Sequence, residues 1–437
     1  MRIQASRSAI QGLARLILVA LLSGCGSSGG GGSGGASGGS STGGSSATGG
    51  TTATGGSSAT GGAPATGGTL GTGGETATGG AGGTAGGHAR GGAGGGGGTV
   101  GKGGATGAGG AGGAGGAPPA GGASGSDATI VPDPSWACGM PKGIASPTRG
   151  TLVFKASLQV TATQDVGATQ YGHRRVLDIG GGTVTGTKLQ ATVMKGGFDF
   201  ELTLSNGVLE LEQIDVLKAS DGTLIYLRTC GVAPSGTSEV RIVPDFEVAN
   251  SSSLAWLNTG TFAGTRTVDA SGNTMEVDVY DVSTASAAPS TVTITAPSGA
   301  TPQPWDCNTV TGAKGASVFT ENVTLGSSLS IGTSKRGNRN IIPITGGSVS
   351  GKVNGTVVYG GGDYQLVGGT TKLDARYVIS SNGDFVIVRN CGPIGALVPL
   401  FETRADGPYA FLNTEKYVSS DPGSGSGGVS ITFYERQ

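Results

Sequence analysis

Short runs of alternating apolar and polar residues recur through residues 128–437 and predict β-strands. Typical examples are TLVFKASLQVTAT at 151–163, TKLQATVMK at 187–195 and VSITFYE at 429–435. Each run is bounded by Gly, Asn, Asp or Ser, which are the residues that favour turns. No window keeps the 3.6-residue period of an amphipathic helix. The pattern therefore predicts an all-β fold of antiparallel strands, arranged as a sandwich or a barrel.

The strand-rich part of the chain contains one pattern of segments twice, in the same order. The matching pairs are YGHRRVLDIGGGTVTG at 171–186 with RGNRNIIPITGGSVSG at 336–351, DGTLIYLRTCG at 221–231 with NGDFVIVRNCG at 382–392, and VPDFEVANSSSLAWLNTG at 243–260 with VPLFETRADGPYAFLNTE at 398–415. The spacing is far longer than the 20–50 residues of a solenoid repeat. We infer a tandem duplication, with a first repeat over 128–285 and a second over 286–437.

Four of the five cysteines occupy matched places in the two repeats. Cys138 and Cys230 lie in the first repeat, and Cys307 and Cys391 lie in the second. Matched pairs in an exported protein predict disulfides, here Cys138–Cys230 and Cys307–Cys391. The alternative is four free thiols. Two distant cysteines per repeat supply too few ligands for a structural metal site.

The N-terminus, MRIQASRSAIQGLARLILVALLSGC, has the order of an export signal. Three arginines precede a short apolar run, Leu16 to Leu22, which is too short for a permanent membrane helix. The run ends in Leu-Ser-Gly-Cys, which resembles a bacterial lipobox. That resemblance implies a signal peptide over 1–24, a lipid on Cys25 and attachment to the outer membrane, on a face left open. The alternative is an ordinary secretory signal with a chance cysteine.

Residues 25–127 are rich in Gly, Ser, Thr and Ala and carry repeated Ala-Thr-Gly-Gly motifs. Such a segment has no apolar periodicity and cannot offset its backbone entropy by burial, so we predict a disordered tether. The net charge of −1 gives no electrostatic reason to expect a nucleic-acid partner. The expected partners are the membrane, through the lipid anchor, and a small-molecule or envelope ligand.

The second repeat resembles the bacterial β-barrel domains of domain-of-unknown-function family 3237. The resemblance rests on GNRNIIPITGG at 337–347, GGDY at 361–364, LDARY at 373–377, PLFET at 399–403 and FLN at 411–413. It implies two tandem antiparallel β-barrels after the disordered linker, and it implies no particular activity. The first repeat resembles the family more weakly. Alignment places Gln213 at the position of Asp374 and Asp215 at that of Arg376.

Candidate chemistry is limited by the scarcity of histidine. The two histidines are His88, in the tether, and His173. The second repeat therefore lacks a Ser-His-Asp triad, a Cys-His pair and a histidine metal centre. We expect no metal and no other cofactor, and any catalysis there would depend on carboxylate, Arg or Tyr groups. The candidate ligand-binding residues are Arg339, Asn340, Asp363, Asp374, Arg376, Glu402 and Asn413.

Three readings of these residues stay open. The protein is a tethered binding module, a carboxylate-based isomerase or lyase, or a structural or adhesive surface protein. In the plainest case Arg339 and Arg376 pair with Asp374 and Glu402 to hold loops on the barrel. An enzyme needs a carboxylate of raised pKa in a concave, partly dry site, whereas a binding module needs only the pocket. The strand TKLDARYVISS turns at Asn382-Gly383. Its charged face points either to solvent or to a site, and this orientation distinguishes a structural role from a functional one.

Overall fold

The computed structural model describes residues 127–136, 138, 143–304, 307, 312–414, 416–425 and 427–437. The predicted signal peptide, the lipidation site Cys25 and the tether up to residue 126 lie outside the described residues. Within the described ranges the chain forms β-strands and three short 3-10 helices, Pro147–Arg149, Ala255–Asn258 and Ala410–Thr414. Among these residues no helix combines the length and the apolar composition needed to cross a bilayer. The predicted all-β fold is confirmed.

Barrel 1 is the closed antiparallel sheet formed by strands β2 to β10. A leading strand, β1 (Thr129–Val131), precedes it. The barrel strands are β2 (Thr151–Ala168), β3 (His173–Thr185), β4 (Ala191–Val193), β5 (Gly197–Thr203), β6 (Leu209–Ala219), β7 (Leu224–Ala233), β8 (Val240–Glu247), β9 (Phe262–Val268) and β10 (Thr274–Asp281). Strand β2 pairs with both β10 and β3, and β5 pairs with both β3 and β6, which closes the ring. Closure satisfies every strand edge and leaves an inside and an outside face on each strand.

Barrel 2 repeats this strand order. After β11 (Thr291–Thr293), which pairs in parallel with β1, come β12 (Lys314–Leu325), β13 (Leu329–Ser334), β14 (Gly337–Gly351), β15 (Gly355–Val357), β16 (Gly362–Val367), β17 (Lys372–Ser381), β18 (Asp384–Pro393), β19 (Val398–Thr403), β20 (Tyr417–Ser419), β21 (Gly423–Gly425) and β22 (Gly428–Arg436). The sheet order runs β19-β18-β17-β15-β14-β12-β22-β20, and among the described residues no strand ladder joins β19 to β20, so hydrogen bonds do not close this sheet as they close barrel 1. Strands β14, β16, β17, β18 and β19 thus correspond to β3, β5, β6, β7 and β8.

Each barrel encloses its own apolar core. Barrel 1 is filled by side chains such as Phe154, Ile225 and Phe246, and barrel 2 by Phe319, Tyr377 and Phe433. All six are almost fully buried. Because side chains alternate along a strand, the other face of each strand points away from its own barrel. A buried site on an outer face can therefore form only where another part of the protein covers that face.

The outer faces of the two barrels meet in a reciprocal contact. The backbone amide of Asn250 donates to the carbonyl of Thr333 (2.8 Å), and the amide of Ala405 donates to the carbonyl of Ala168 (2.8 Å). Asn250 and Ala405 follow equivalent strands, β8 and β19, and Ala168 and Thr333 end equivalent strands of the two repeats. Barrel 1 therefore contacts barrel 2 as barrel 2 contacts barrel 1, which is the pattern of a twofold-symmetric interface.

Candidate functional site between the two barrels

The charged face of TKLDARY is covered by the other barrel. On β17, Tyr377 and Ile379 pack in the core of barrel 2, so Asp374 and Arg376 point outward. Arg376 is nevertheless only 7% exposed, because it reaches Glu212 of barrel 1 and donates a hydrogen bond to its carboxylate. The same guanidinium binds both oxygens of Asp374 at 3.1 Å. This face is thus neither ordinary wet surface nor barrel lining, but part of the inter-barrel contact.

Two acids at this contact, Asp374 and Glu212, are held in their ionised form. Burial alone would raise the pKa of Asp374, but Arg376 and Arg389 overcome that effect and hold it well below its usual range. Arg389 binds Asp374 through two hydrogen bonds of 2.9 and 3.1 Å. Burial likewise opposes ionisation of Glu212, and Arg376 and Arg228 lower its pKa. Both carboxylates are therefore charged at neutral pH.

The structure corrects the alignment of the two repeats by one residue. Glu212 pairs with Cys230 across β6 and β7, just as Asp374 pairs with Cys391 across β17 and β18. Glu212, and not Gln213, is therefore the counterpart of Asp374. The counterpart of Arg376 is accordingly Ile214, not Asp215.

The misalignment arises from a difference in turn length. In barrel 2 the turn consists of Asn382 and Gly383, which both have positive φ (51° and 89°), the geometry of a tight two-residue hairpin. In barrel 1 the hairpin closes through the Ala219 amide and the Thr223 carbonyl, with three residues between them. The extra residue displaces the whole of β6 by one position relative to β17.

Two arginine–glutamate pairs cross the interface in opposite directions. Arg174 of barrel 1 binds Glu402 of barrel 2, with its Nε 3.0 Å from both carboxylate oxygens. Arg339 of barrel 2 binds Glu247 of barrel 1 through Nε at 3.1 Å and Nη2 at 2.5 Å. These four residues occupy equivalent strand positions in the two repeats. Each barrel thus supplies one arginine and one glutamate to a reciprocal pair of buried salt bridges.

Each of these two glutamates also accepts a hydrogen bond from a hydroxyl group of the opposite barrel. Thr169 donates to Glu402 at 2.6 Å, and Ser334 donates to Glu247 at 2.5 Å. Buried carboxylates need such additional donors, because an incompletely bonded charge is costly to bury. The two halves of the interface therefore share one design.

A cavity of about 90 Å³ lies in the half of the interface that contains Arg174 and Glu402. Since one water occupies roughly 10–15 Å³ of such volume, this is room for several waters or one small ring. Its apolar wall is formed by Trp136, Tyr171, Phe200, Ile387, Leu400 and Phe401. Its polar side chains include Arg174, Arg376, Arg389, Glu210, Glu212 and Glu402. Three arginines and three glutamates make the charge of this lining balanced.

Gln303, from the connection between the barrels, spans one side of the cavity. Its side-chain oxygen accepts a hydrogen bond from Nη2 of Arg174 (2.5 Å), and its amide nitrogen donates to Glu210 (3.3 Å). The carboxamide therefore offers an acceptor to the arginine and a donor to the glutamate.

The predicted site residues divide into two groups. Arg376 and Glu402 line the cavity, and Asp374 orients Arg376 and Arg389 beside it. Arg339 lies at the equivalent position in the other half of the interface. The expected pairing of Arg339 and Arg376 with Asp374 and Glu402 occurs in part: Arg376 binds Asp374, but the other two residues find partners in barrel 1.

The remaining three candidates lie away from the cavity. Asn340 donates to Gln365 at 3.0 Å, and Gln365 donates to Asp363 at 2.7 Å, so Asn340 and Asp363 belong to one polar chain on neighbouring strands of barrel 2. Asn413 binds the amide and the carbonyl of Thr403, both at 3.0 Å, and so fastens the last 3-10 helix to β19. The geometry gives Asn413 a structural role.

Sequence reasoning missed the contribution of barrel 1. Arg174, Glu210 and Glu212 of barrel 1 line the cavity, as does Gln303 of the connection, yet none of them was a candidate. One sequence signal could have found these residues. In each repeat an arginine, Arg228 or Arg389, lies two residues before the second cysteine. Each of these arginines binds an acid on the neighbouring strand.

Carboxylates of raised pKa lie elsewhere in the molecule. Burial raises the pKa of Glu321 to about 8, despite a hydrogen bond from Tyr377. Burial also raises the pKa of Asp215 and of Asp363 to about 7. These three acids are not among the side chains that line the inter-barrel cavity. These three acids of raised pKa are therefore separate from the described cavity.

Both predicted disulfides are confirmed. Cys138 is joined to Cys230 and Cys307 to Cys391, with Cα atoms 5.9 and 5.6 Å apart. The first bond fixes the leading segment against barrel 1, where Cys138 forms part of the cavity wall. The carboxylate of Asp374 lies close to the second bond. Joined sulfurs supply no thiolate for a metal.

Two stretches of the chain, residues 149–282 and 314–396, match the model of a family described as "Protein of unknown function (DUF3237)". A UPF0311 protein of Rhodopseudomonas palustris is 30% identical over 88 residues, and one of Bradyrhizobium diazoefficiens is 37% identical over 88 residues. Each match covers 20% of this chain, and the chain spans 58% and 57% of the length of these relatives.

Solved structures with some likeness include a conserved protein of unknown function from R. palustris and a beta-barrel like protein from Acinetobacter baumannii. Both are 24% identical, with TM-scores of 0.28 and 0.27. Each covers 30% of this chain, and the chain covers 95% and 94% of them. The first match spans barrel 1 and the second spans β12 to β18 of barrel 2, so the strand-rich part of the chain contains two tandem regions that match the DUF3237 family of unknown function.

Proposed function

We propose that the protein binds one small molecule in the cavity between its two barrels. The observation that carries the proposal is the cavity itself, which joins an apolar wall to arginines and glutamates held in fixed positions. Sites for small ligands are typically concave and mostly apolar, with a few well-placed polar groups. The polar groups here are held by partners on both barrels, so the site depends on the fused pair rather than on either barrel alone.

Binding is favoured over carboxylate catalysis by the ionisation of the acids. A general acid or base acting near neutral pH needs a pKa near that range. At this contact Glu212 and its neighbour Asp374 have lowered pKa values because arginines surround them. The acids of raised pKa, such as Glu321, are enclosed among the side chains of a barrel core. The arrangement supports a binding module, because arginines hold Glu212 and Asp374 in the ionised form and the acids of raised pKa lie outside the cavity lining.

We further propose that the module is displayed from the cell envelope on a lipid anchor. The order of charged segment, apolar run and Leu-Ser-Gly-Cys box supports lipidation of Cys25. The two disulfides suit an oxidising compartment outside the cytoplasm. The Gly-rich tether would give the binding domains a reach of roughly 50–60 Å from the membrane. Radiolabelled palmitate incorporated into the wild type but not into Cys25→Ala tests the anchor, and equal labelling refutes it.

A ligand screen by thermal shift on the purified full chain tests the binding proposal. Leu400→Trp places a large side chain in the cavity wall, so a ligand that stabilises the wild type should no longer stabilise this variant. Leu152→Trp is the matched control, because Leu152 is 40% exposed and is not among the residues that line the cavity. A ligand that stabilises all three proteins equally binds elsewhere and overturns the proposal. If no compound in a broad metabolite set stabilises the wild type, the structural or adhesive hypothesis is favoured.

A further inference from the structure

The half of the interface opposite the cavity contains a stacked aromatic ring. There Tyr226 of barrel 1 lies against the guanidinium of Arg339, 4.8 Å from ring centre to the arginine Cζ. The same ring packs on Tyr364 of barrel 2, with the ring centres 5.4 Å apart. A guanidinium over an aromatic face is held by the ring quadrupole, most strongly where water is excluded. Tyr226 therefore contacts both an arginine and a second aromatic ring.

The cavity begins where this ring is missing from the equivalent position. Tyr226 pairs with Glu247 across β7 and β8, and Ile387 pairs with Glu402 across β18 and β19. Ile387 is thus the counterpart of Tyr226, and it lines the cavity. An isoleucine is shorter than a tyrosine and leaves unfilled the volume that the phenol ring takes in the other half.

The two neighbours of the ring are also repeated. Arg174 is the counterpart of Arg339, and both bind the equivalent glutamate of the opposite barrel. Phe200 pairs with Val176 as Tyr364 pairs with Ile341, which makes Phe200 the counterpart of Tyr364. Arg174 and Phe200 both line the cavity. The cavity therefore keeps the arginine and the aromatic partner while lacking the ring between them.

From this juxtaposition we propose that the ligand of the cavity is a small, uncharged aromatic compound whose ring stacks on Arg174 beside Phe200. The inference rests on the proposed binding function and names its ligand class. The balanced arginines and glutamates of the lining favour a neutral molecule, because an added charge would disturb pairs that are already matched. A hydroxyl or carbonyl group on the ring finds hydrogen-bonding partners in Gln303 and Glu210. In the other half of the interface, the side chain of Tyr226 occupies the place equivalent to the one that we assign to this ligand.

The direct probe is 4-methylphenol, which is the tyrosine side chain without its backbone. Isothermal titration of the full chain should give one binding site. The control ligand is 4-methylcyclohexanol, which has a similar size and hydroxyl group but no aromatic face. We expect at least tenfold weaker binding of the control. Equal affinity for the two compounds overturns the stacking inference.

Two exchange variants locate the site. Ile387→Tyr introduces into the cavity the side chain that the other half already contains, so binding of 4-methylphenol should weaken at least tenfold. Tyr226→Ile should open the other half and raise the stoichiometry from one to two. Unchanged affinity in Ile387→Tyr refutes the proposal. If Tyr226→Ile fails to fold, the wild type and Ile387→Tyr still decide the question.

Failure of this inference can be told apart from failure of the proposed function. A ligand from the screen that is non-aromatic, and whose binding is abolished by Leu400→Trp, preserves the binding function and overturns the aromatic assignment. If no ligand binds to or stabilises the wild type, both the proposed binding function and the aromatic assignment are overturned.

Discussion

Glu321 should make the stability of the protein fall as the pH rises. It is fully buried in barrel 2, where it accepts a hydrogen bond from Tyr377, and its second carboxylate oxygen has no hydrogen-bond partner. Burial raises its pKa from 4.5 to about 8. Between these two values the unfolded chain loses the proton of Glu321 while the native protein keeps it. The stabilisation is therefore complete below pH 4.5 and is lost as the pH rises through about 8.

The size of the effect follows from this difference in protonation. Each pH unit over which only the native state keeps the proton costs about 1.4 kcal/mol. From pH 6 to pH 8, Glu321 alone should remove about 2 kcal/mol from the free energy of unfolding, because it begins to ionise in the native state near the upper limit. Asp215 and Asp363, whose pKa values are raised to about 7, add a decline of the same sign.

Urea denaturation at pH 6 and pH 8 measures the effect. Glu321→Gln keeps an acceptor for Tyr377 but has no proton to lose in this range. The difference in unfolding free energy between the two pH values should thus be about 2 kcal/mol smaller in the variant than in the wild type. Glu239→Gln, at an exposed position, should leave that difference unchanged. Parallel pH profiles for Glu321→Gln and the wild type would refute the reasoning.

Three further substitutions test the interface, the disulfides and the helix attachment. Glu247→Ala should lower the free energy of unfolding in urea by about 3–5 kcal/mol, because it leaves a buried arginine without its carboxylate; a loss below 1 kcal/mol contradicts this. Replacing Cys307 and Cys391 together by Ala should cost about 2–5 kcal/mol, read as a lower melting temperature, whereas an unchanged melting temperature speaks against a structural disulfide. Asn413→Ala removes two hydrogen bonds to Thr403 and should cost about 1–3 kcal/mol, with faster hydrogen exchange at the Thr403 amide; unchanged exchange excludes this attachment.

The strands and the main turn of barrel 2 could be predicted because they depend on local sequence. Alternation of side chains correctly placed Tyr377 and Arg376 on opposite faces of β17, but it did not say which face points into the barrel. Asn382-Gly383 correctly predicted the hairpin, since those two residues readily take positive φ. The disulfides could also be predicted, because the duplication placed four cysteines at matched positions.

The site could not be predicted, because its burial comes from a second domain. Alternation tells which side chains leave a barrel but not what covers them. Asp374 and Arg376 have the composition of a solvent-facing strand, and only the docking of Glu212 from barrel 1 makes them part of an interior. The one-residue difference in turn length concealed the equivalence of Glu212 and Asp374, since a shift of one position moves a side chain to the opposite face.

The reciprocal salt bridges are better understood as devices of orientation than of stability. Replacing buried ion pairs by well-packed apolar residues is often neutral or stabilising, so a contribution to the free energy of unfolding does not by itself explain why the ion pairs are present. Breaking one partner, however, is expensive. Arg174–Glu402 and Arg339–Glu247 cross the interface in opposite directions, so a shift of one barrel against the other disrupts both at once. The docking that they fix holds Arg174 and Phe200 of barrel 1 opposite Ile387 and Leu400 of barrel 2, and these four side chains line the cavity.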